Sequence, residues 1–477
     1  MHSRPLISSL LLLGTLSFAA ACSPGPSEPP GSVGADARPG SPSTVRAVDP
    51  STIKGLKIVN DNSEHASCRF ATSYPVVPGA EAMTAAMKKD VEQRLSSFRT
   101  GACNDGPGDA EVPDFNISHQ FLTASGDVLG VRLSTRDPHA AGSGLSSRTY
   151  WYDGRAAAYR TALGLVADGS TDSFLAAVKD QLQGRKGVDT AVLDDAFASP
   201  NRTAVLDDMA FTADGGLRVE FDRGDVAVPA AGSPTVTLSK ETTTPWLSDF
   251  GKRAQRETVS PGGSLDLGAG HIPAQALPTA TASGDDSTDC KKVKCVALTF
   301  DDGPAMPETA TLLNSLAQYE ARATFFVVGQ NVAAHPELLR AEAKAGHEIG
   351  NHTWDHPALT RLTPQQIASQ LDRTSAAVKA TTGKAPTTLR PPYGAINQTV
   401  RDATSLSPVL WDVDPEDWKY RDSAKVAQTV ISRTRRNDVV LMHDIHATSV
   451  AAVPQILRTL TARGYHFVTV SHLRASL

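Results

Sequence analysis

The sequence predicts an α/β protein: a parallel, barrel-like α/β fold in its C-terminal part, preceded by a smaller α+β domain. Three observations lead there. From Cys290 to Leu477, apolar runs of strand length alternate with helical patterns, as in parallel sheets with crossover helices. The run Cys295 to Phe300 ends in two adjacent carboxylates, Asp301 and Asp302, and Gly303-Pro304 then breaks the strand. The other chemically distinctive residues of this part also follow strands, as where a barrel presents its site at the strand C-termini.

The barrel strands are expected at Val296–Phe300, Ala323–Val328, His347–Gly350, Thr388–Arg390, Pro408–Val413, Val439–His443 and Phe467–Val470. Pro307, Pro336 and Pro364 suit the first turn of helices, where a missing N–H costs nothing. Gly346 and Gly383 suit helix ends. Further helices are expected at Ser423–Thr434 and Ser449–Arg463. In residues 51–252 the clearest helix is Gly79–Thr100, whose Met83, Met87, Val91, Leu95 and Phe98 share one stripe. Strands are expected at Ile53–Val59, Phe115–Thr123, Val128–Thr135, Arg148–Tyr152, Met209–Thr212 and Leu217–Phe221, and a second helix at Phe174–Leu182. No catalytic constellation is evident in this half. His139 with its Gly/Ser-rich loop is a poor ligand set.

The chain has 477 residues, room for two to four domains, and a net charge of −5 from 46 basic and 51 acidic residues. With no basic run, nothing points to nucleic acid. Met1 to Ala21 reads as an export signal. Ala19-Ala20-Ala21-Cys22 resembles a bacterial lipobox, which makes Cys22 a lipidation site at the outer face of the membrane; plain secretion is the alternative. Residues 22–50 read as a Pro/Gly/Ser-rich tether and residues 253–289 as a second linker. Cys68, Cys103, Cys290 and Cys295 remain after Cys22, and export favours disulfides. Three pairings are open. Cys68–Cys103 and Cys290–Cys295 are favoured because each joins residues of one domain.

The chemistry follows the strands. His352 and His356 are four residues apart and could face one ion from a helical turn, with Asp302 completing a His-His-carboxylate set. Zn²⁺ fits, as do Co²⁺, Mn²⁺ and Ni²⁺. Asp301 is left free to act as a base and His443, at another strand end, as an acid. Arg390-Pro391-Pro392-Tyr393 forms a rigid loop that frees the Tyr393 N–H for an oxyanion. Asp417 could pair with Arg390, and Trp418 could form an apolar wall. His335, His347 and His446 are read as bystanders.

Thr299-Phe300-Asp301-Asp302-Gly303-Pro304, His352-Thr353-Trp354-Asp355-His356, Arg390-Pro391-Pro392-Tyr393, Asp414-Pro415-Glu416-Asp417-Trp418 and Leu441-Met442-His443 occur in order. Together they resemble the NodB-homology domain of the polysaccharide deacetylases, carbohydrate esterase family 4, here spanning residues 290–477, and the resemblance implies a distorted (β/α) barrel with fewer than eight regular repeats. The resemblance implies Asp301 as base and His443 as acid, with Arg390 and Asp417 tuning Asp301. It implies one divalent metal on Asp302, His352 and His356, the Tyr393 N–H in an oxyanion hole, and Trp418 and Leu441 around the acetyl group. It implies a metal-dependent deacetylase; the anchor and the tether favour N-acetylglucosamine units of an envelope polysaccharide, peptidoglycan first, with chitooligosaccharides and O-acetyl xylan as the alternatives. Tyr150-Trp151-Tyr152-Asp153-Gly154, Phe174 to Leu182 and Met209 to Leu217 resemble the extracytoplasmic domain shared by the anti-sigma factor RsiV and the deacetylase PdaC. That likeness implies lysozyme or glycan as a partner, and leaves open a binding sensor with an inactive barrel.

Overall fold

Tyr150-Trp151-Tyr152 decides the layering of the N-terminal part. Neighbours on a strand face opposite ways, and here both faces are covered. Tyr150 and Tyr152 join Phe70, Phe115, Ile117 and the expected stripe Met83, Met87, Val91, Leu95 and Phe98. Trp151 turns into a second core with Phe174, Val178, Met209, Phe211, Leu217 and Phe250. Gly130 lies directly opposite Trp151. A Cβ at Gly130 would come within 2.6 Å of the indole, so the position has no room for a side chain.

In the computed structural model, residues 45–46, 48–65, 68–103, 114–138, 144–198, 201–268 and 287–477 are described. The expected export signal, Cys22, almost all of the tether, His139 and much of the second linker lie outside them. Among the described residues no helix is long and apolar enough to cross a membrane.

Six strands form the main N-terminal sheet in chain order: β1 Lys57–His65, β2 Cys68–Val76, β3 Asp114–Ser125, β4 Val128–Arg136, β5 Leu145–Asp153 and β6 Ala158–Thr161. All neighbours are antiparallel except β2 and β3. The helix α1, Glu81–Ala102, makes that parallel crossover. A small antiparallel sheet of β7 Asp208–Phe211, β8 Leu217–Glu220 and β9 Thr235–Leu238 feeds the Trp151 core. The helix Asp249–Val259 runs through residue 252 and takes the first residues of the expected linker. Its Arg253, although basic, is buried because its guanidinium donates to Asp153.

The C-terminal part is the expected α/β barrel. Its strands are β10 Lys294–Asp301, β11 Ala323–Val327, β12 Glu348–Asn351, β13 Thr388–Leu389, β14 Ser407–Pro408, β15 Val439–His443 and β16 Tyr465–Phe467. They lie in the order β14-β13-β12-β11-β10-β15, with β16 also beside β10, and every pairing is parallel. The expected strand Pro408–Val413 is cut to two residues because its backbone bonds are divided between two neighbours. Val409 N donates to Leu389 O at 2.8 Å, whereas Leu441 N donates to Val413 O at 2.9 Å. This irregular segment closes the ring.

The proline and glycine signals mostly act as expected. Pro336 and Pro364 open helices, Thr363 and Gln366 form a capping box, and Gly383 ends its helix at φ 80°. Pro307 instead precedes the helix Glu308–Gln318. The expected strand Phe467–Val470 stops at Phe467, because the Thr469 side chain accepts from His472 N and starts a helix at Val470. Both favoured disulfides, Cys68–Cys103 and Cys290–Cys295, are formed.

Candidate active site

Strand β10 carries Asp301 to the centre of the barrel mouth. Arg390, itself fully buried, reaches it from the end of β13: its Nη1 donates to Asp301 Oδ1 at 2.8 Å and to Thr299 Oγ1 at 2.6 Å. The guanidinium also lies 4.3 Å over the Phe326 ring. Burial pushes the Asp301 carboxyl up to about 7, with Arg390 and His443 opposing the rise. Asp301 Oδ2 has no hydrogen-bond partner.

The next residue turns away. Asp302 has a left-handed backbone, φ 74°, and its Oδ1 lies 3.5 Å from His352 Nε2 and 3.3 Å from His356 Nε2. These ligand atoms lie within 4.8 Å of one another. All three are buried and without hydrogen bonds, an arrangement costly for bare protein and one that a divalent cation would satisfy. His352 Nδ1 bonds Arg390 O at 2.6 Å, which aims Nε2 at the cluster. Burial and the neighbouring His356 hold His352 well below the usual imidazole range, in the neutral form that binds metals.

The two histidines do not meet through a helical turn. Residues after β12 form an irregular loop, with Thr353 at φ 69° and His356 at φ 60°. Asn351 Oδ1 accepts from Thr353 N at 2.8 Å and Thr353 Oγ1 from His356 N at 3.0 Å. Side-chain bonds to the backbone replace helical ones and bring the rings to 4.9 Å.

His443 ends β15 opposite Asp301. Its Nδ1 meets Asp417 Oδ1 at 2.8 Å, and its backbone N donates to Asp417 Oδ2 at 2.9 Å. The expected Arg390–Asp417 pair is therefore not formed: each partner is already matched, Arg390 with Asp301 and Asp417 with His443 and the Ser449 hydroxyl. Burial alone would raise Asp417, but His443 outweighs it and holds the carboxyl at about 2. In turn Asp417 lifts His443 well above the usual imidazole range against the effect of burial. Tyr393 sits at φ 61° after the two prolines, its ring 4.9 Å from that of His356. Trp418, next to Asp417, and Leu441, two residues before His443 on β15, are both buried.

Four residues at this mouth went unread in the sequence. His446, expected to be a bystander, has its ring 5.8 Å from His443, and its Nε2 bonds Asn62 Oδ1 at 3.1 Å. Asn62 Nδ2 donates to Asp302 Oδ2 at 2.5 Å. Glu64 Oε1 lies 3.7 Å from His443 Nε2. Asn116 Nδ2 donates to Asp355 O at 2.7 Å, next to His356. The N-terminal domain, in which no constellation was evident, thus supplies three of them. The one local signal was the polar run Asn60 to His65, whose Asn and Asp residues are depleted in strands. His335 and His347 do lie in structural roles, one facing Glu337 and the other accepting from Ala323 N.

A parallel barrel with a His-His-Asp cluster beside a buried Asp–Arg pair and a His–Asp pair defines a hydrolase-like site. Residues 288–408 match the polysaccharide deacetylase family. The chain is 37% identical over 190 residues to a peptidoglycan-N-acetylglucosamine deacetylase of Bacillus cereus, covering 37% of this chain and 69% of that protein. It is 44% identical over 183 residues to the peptidoglycan-N-acetylglucosamine deacetylase PgdA of Listeria monocytogenes, covering 38% of this chain and 39% of that one. It is 44% identical over 180 residues to the peptidoglycan-N-acetylmuramic acid deacetylase PdaC of Bacillus subtilis, covering 38% of each. The chain matches about two fifths of the length of the last two. It belongs to the polysaccharide deacetylase family.

Proposed function

We propose that this protein removes N-acetyl groups from N-acetylglucosamine units of a cell-envelope polysaccharide, with peptidoglycan as the substrate. The observation that carries the reading is the meeting of three unpaired ligand atoms with an Asp301–Arg390 pair on one side and a His443–Asp417 pair on the other. The names of the relatives favour the same chemistry.

Asp302, His352 and His356 would hold one divalent ion, Zn²⁺ or a similar borderline metal. When bound it would supply Lewis-acid polarisation of an acetyl carbonyl and of a water. Asp301 takes the proton of the attacking water through its unpaired Oδ2, while Arg390 fixes Oδ1. The Tyr393 N–H donates to the developing oxyanion. His443, held by Asp417, delivers a proton from Nε2 to the amide nitrogen as the C–N bond breaks. The products are acetate and a glucosamine unit. Trp418 and Leu441 enclose the acetyl methyl.

Asp301→Asn and His443→Ala are each expected to lower acetate release from purified peptidoglycan by about 10²–10⁴-fold, with an unchanged circular dichroism spectrum. Undiminished release from either folded variant would refute these roles. The likeness of the N-terminal domain to that of PdaC and RsiV supports glycan or lysozyme as a partner, and with Cys22 it supports a lipid-anchored place on the outer membrane face. Capture of lysozyme by the full chain would test the first; incorporation of labelled fatty acid, lost in Cys22→Ala, would test the second.

A further inference from the structure

The site is closed, and the chain itself closes it. Asp301, His352 and His443 are each at most 1% exposed. The cavity shared by Asn62, Asp302 and His356 holds about 20 Å³, room for one water. No sugar ring fits there.

The closing element is the hairpin of β1 and β2. On β1, alternation puts Asn62 and Glu64 on one face and Asp61 on the other. Asn62 joins Asp302 to His446. Glu64, its side chain 6% exposed, faces His443 Nε2 at 3.7 Å, the atom assigned to protonate the leaving amine. Asp61, facing outward, takes Arg421 Nη2 at 2.9 Å. A carboxylate on a flexible methylene stem is the chemistry of acetate, the product of the proposed reaction.

We propose that the β1–β2 hairpin is a built-in ligand of the active site, with Glu64 as a product-like carboxylate that must leave before a glycan can enter. The inference rests on the deacetylase reading. Several of the contacts that hold the hairpin and its domain to the barrel are polar: Arg421 with Asp61, Asn116 with Asp355 O, and Gln330 with His119 O at 2.6 Å, beside a His65–Trp418 ring contact and Ala334 packed on the N-terminal core. Polar interfaces between domains of one chain favour relative motion. The Cys68–Cys103 bridge ties the first residue of β2 to the end of α1, so the hairpin leaves with its domain. Displacement has an energetic cost, so the closed population lowers apparent activity by the fraction that is closed.

The test uses the full chain loaded with Zn²⁺ and a soluble tetramer of N-acetylglucosamine. Glu64→Ala should release acetate at least about ten-fold faster than the unaltered chain. Arg421→Ala, which removes the ion pair with Asp61, should give a smaller rise, and Glu64→Gln keeps the side-chain shape should the alanine variant misfold. Hydrogen exchange at residues 57–65 should quicken in the same order. Release from Glu64→Ala and Glu64→Gln equal to or below that of the unaltered chain would overturn the proposal. Silence from every chain, on tetramer and on peptidoglycan, would remove the deacetylase reading and the hairpin's role with it.

Discussion

The two walls of the cleft were written in different ways. The barrel wall is local: Asp301-Asp302, His352 to His356, Arg390 to Tyr393, Asp414 to Trp418 and Leu441 to His443 each mark a strand end with neighbouring residues. The N-terminal wall is long-range: Asn62 meets Asp302, and Asn116 meets the backbone of Asp355, across about 240 residues of sequence. A catalytic wall can be read by motif because each strand must present several groups at one point. A covering wall needs only a few polar atoms at the right height, and those leave no spacing rule.

The largest expected effect probes the barrel wall. Asp417→Asn keeps the shape but removes the charge that orients and protonates His443, so acetate release should fall about 10²–10³-fold while the affinity for Zn²⁺ stays within a few-fold. An equal loss of metal affinity would mean that Asp417 supports the cluster instead, and the barrel wall would lose its division into separate pairs.

Next comes the barrel core. Burial, reinforced by Arg322, lowers the His347 imidazole to about 4. A free histidine titrates near 6.5, so the unfolded chain binds the proton first as pH falls. The neutral native histidine therefore contributes stability that is fully present above pH 6.5 and is lost as pH drops toward 4, roughly 3 kcal/mol in all. His347→Gln should flatten this part of the stability profile between pH 7 and pH 4. Parallel profiles for the two chains would show that His347 carries none of the acid sensitivity.

The N-terminal core gives a smaller effect. Gly130→Ala should destabilise the protein by about 1–3 kcal/mol, because Trp151 must move. Its calorimetric transition would also report whether the two parts unfold together. The smallest effect is expected from Asn116→Ala, which removes the support of the loop before His356. Zn²⁺ affinity should drop by about ten-fold, and no change would confine the N-terminal wall to covering the site.

The fold was legible where pattern and punctuation agreed. The stripe Met83 to Phe98 is core, and Pro364 and Gly383 bound a helix as expected. Legibility failed where one segment served two neighbours. Residues 409–413 split their bonds between β13 and β15, and Thr469 turned an apolar run into a helix start. At the site, Asp301, Asp302, His352, His356, Arg390, Asp417 and His443 do come together, but partners were misjudged. Arg390 and Asp417 have opposite charges and invited pairing, yet Asp301 and His443 claim them. The loop from His352 to His356 departs from the expected helical turn too, because left-handed residues stabilised by Asn351 and Thr353 have no periodic signal. His446 lacked a motif, and its place follows from its contacts with His443 and Asn62.

The most direct measurement is acetate released from purified peptidoglycan by the full chain, with Zn²⁺ bound, after chelation and after Zn²⁺ is restored. Release that vanishes on chelation and returns with the ion is the predicted result. Release indifferent to chelation, or none from the Zn²⁺-loaded Glu64→Ala chain, would contradict it.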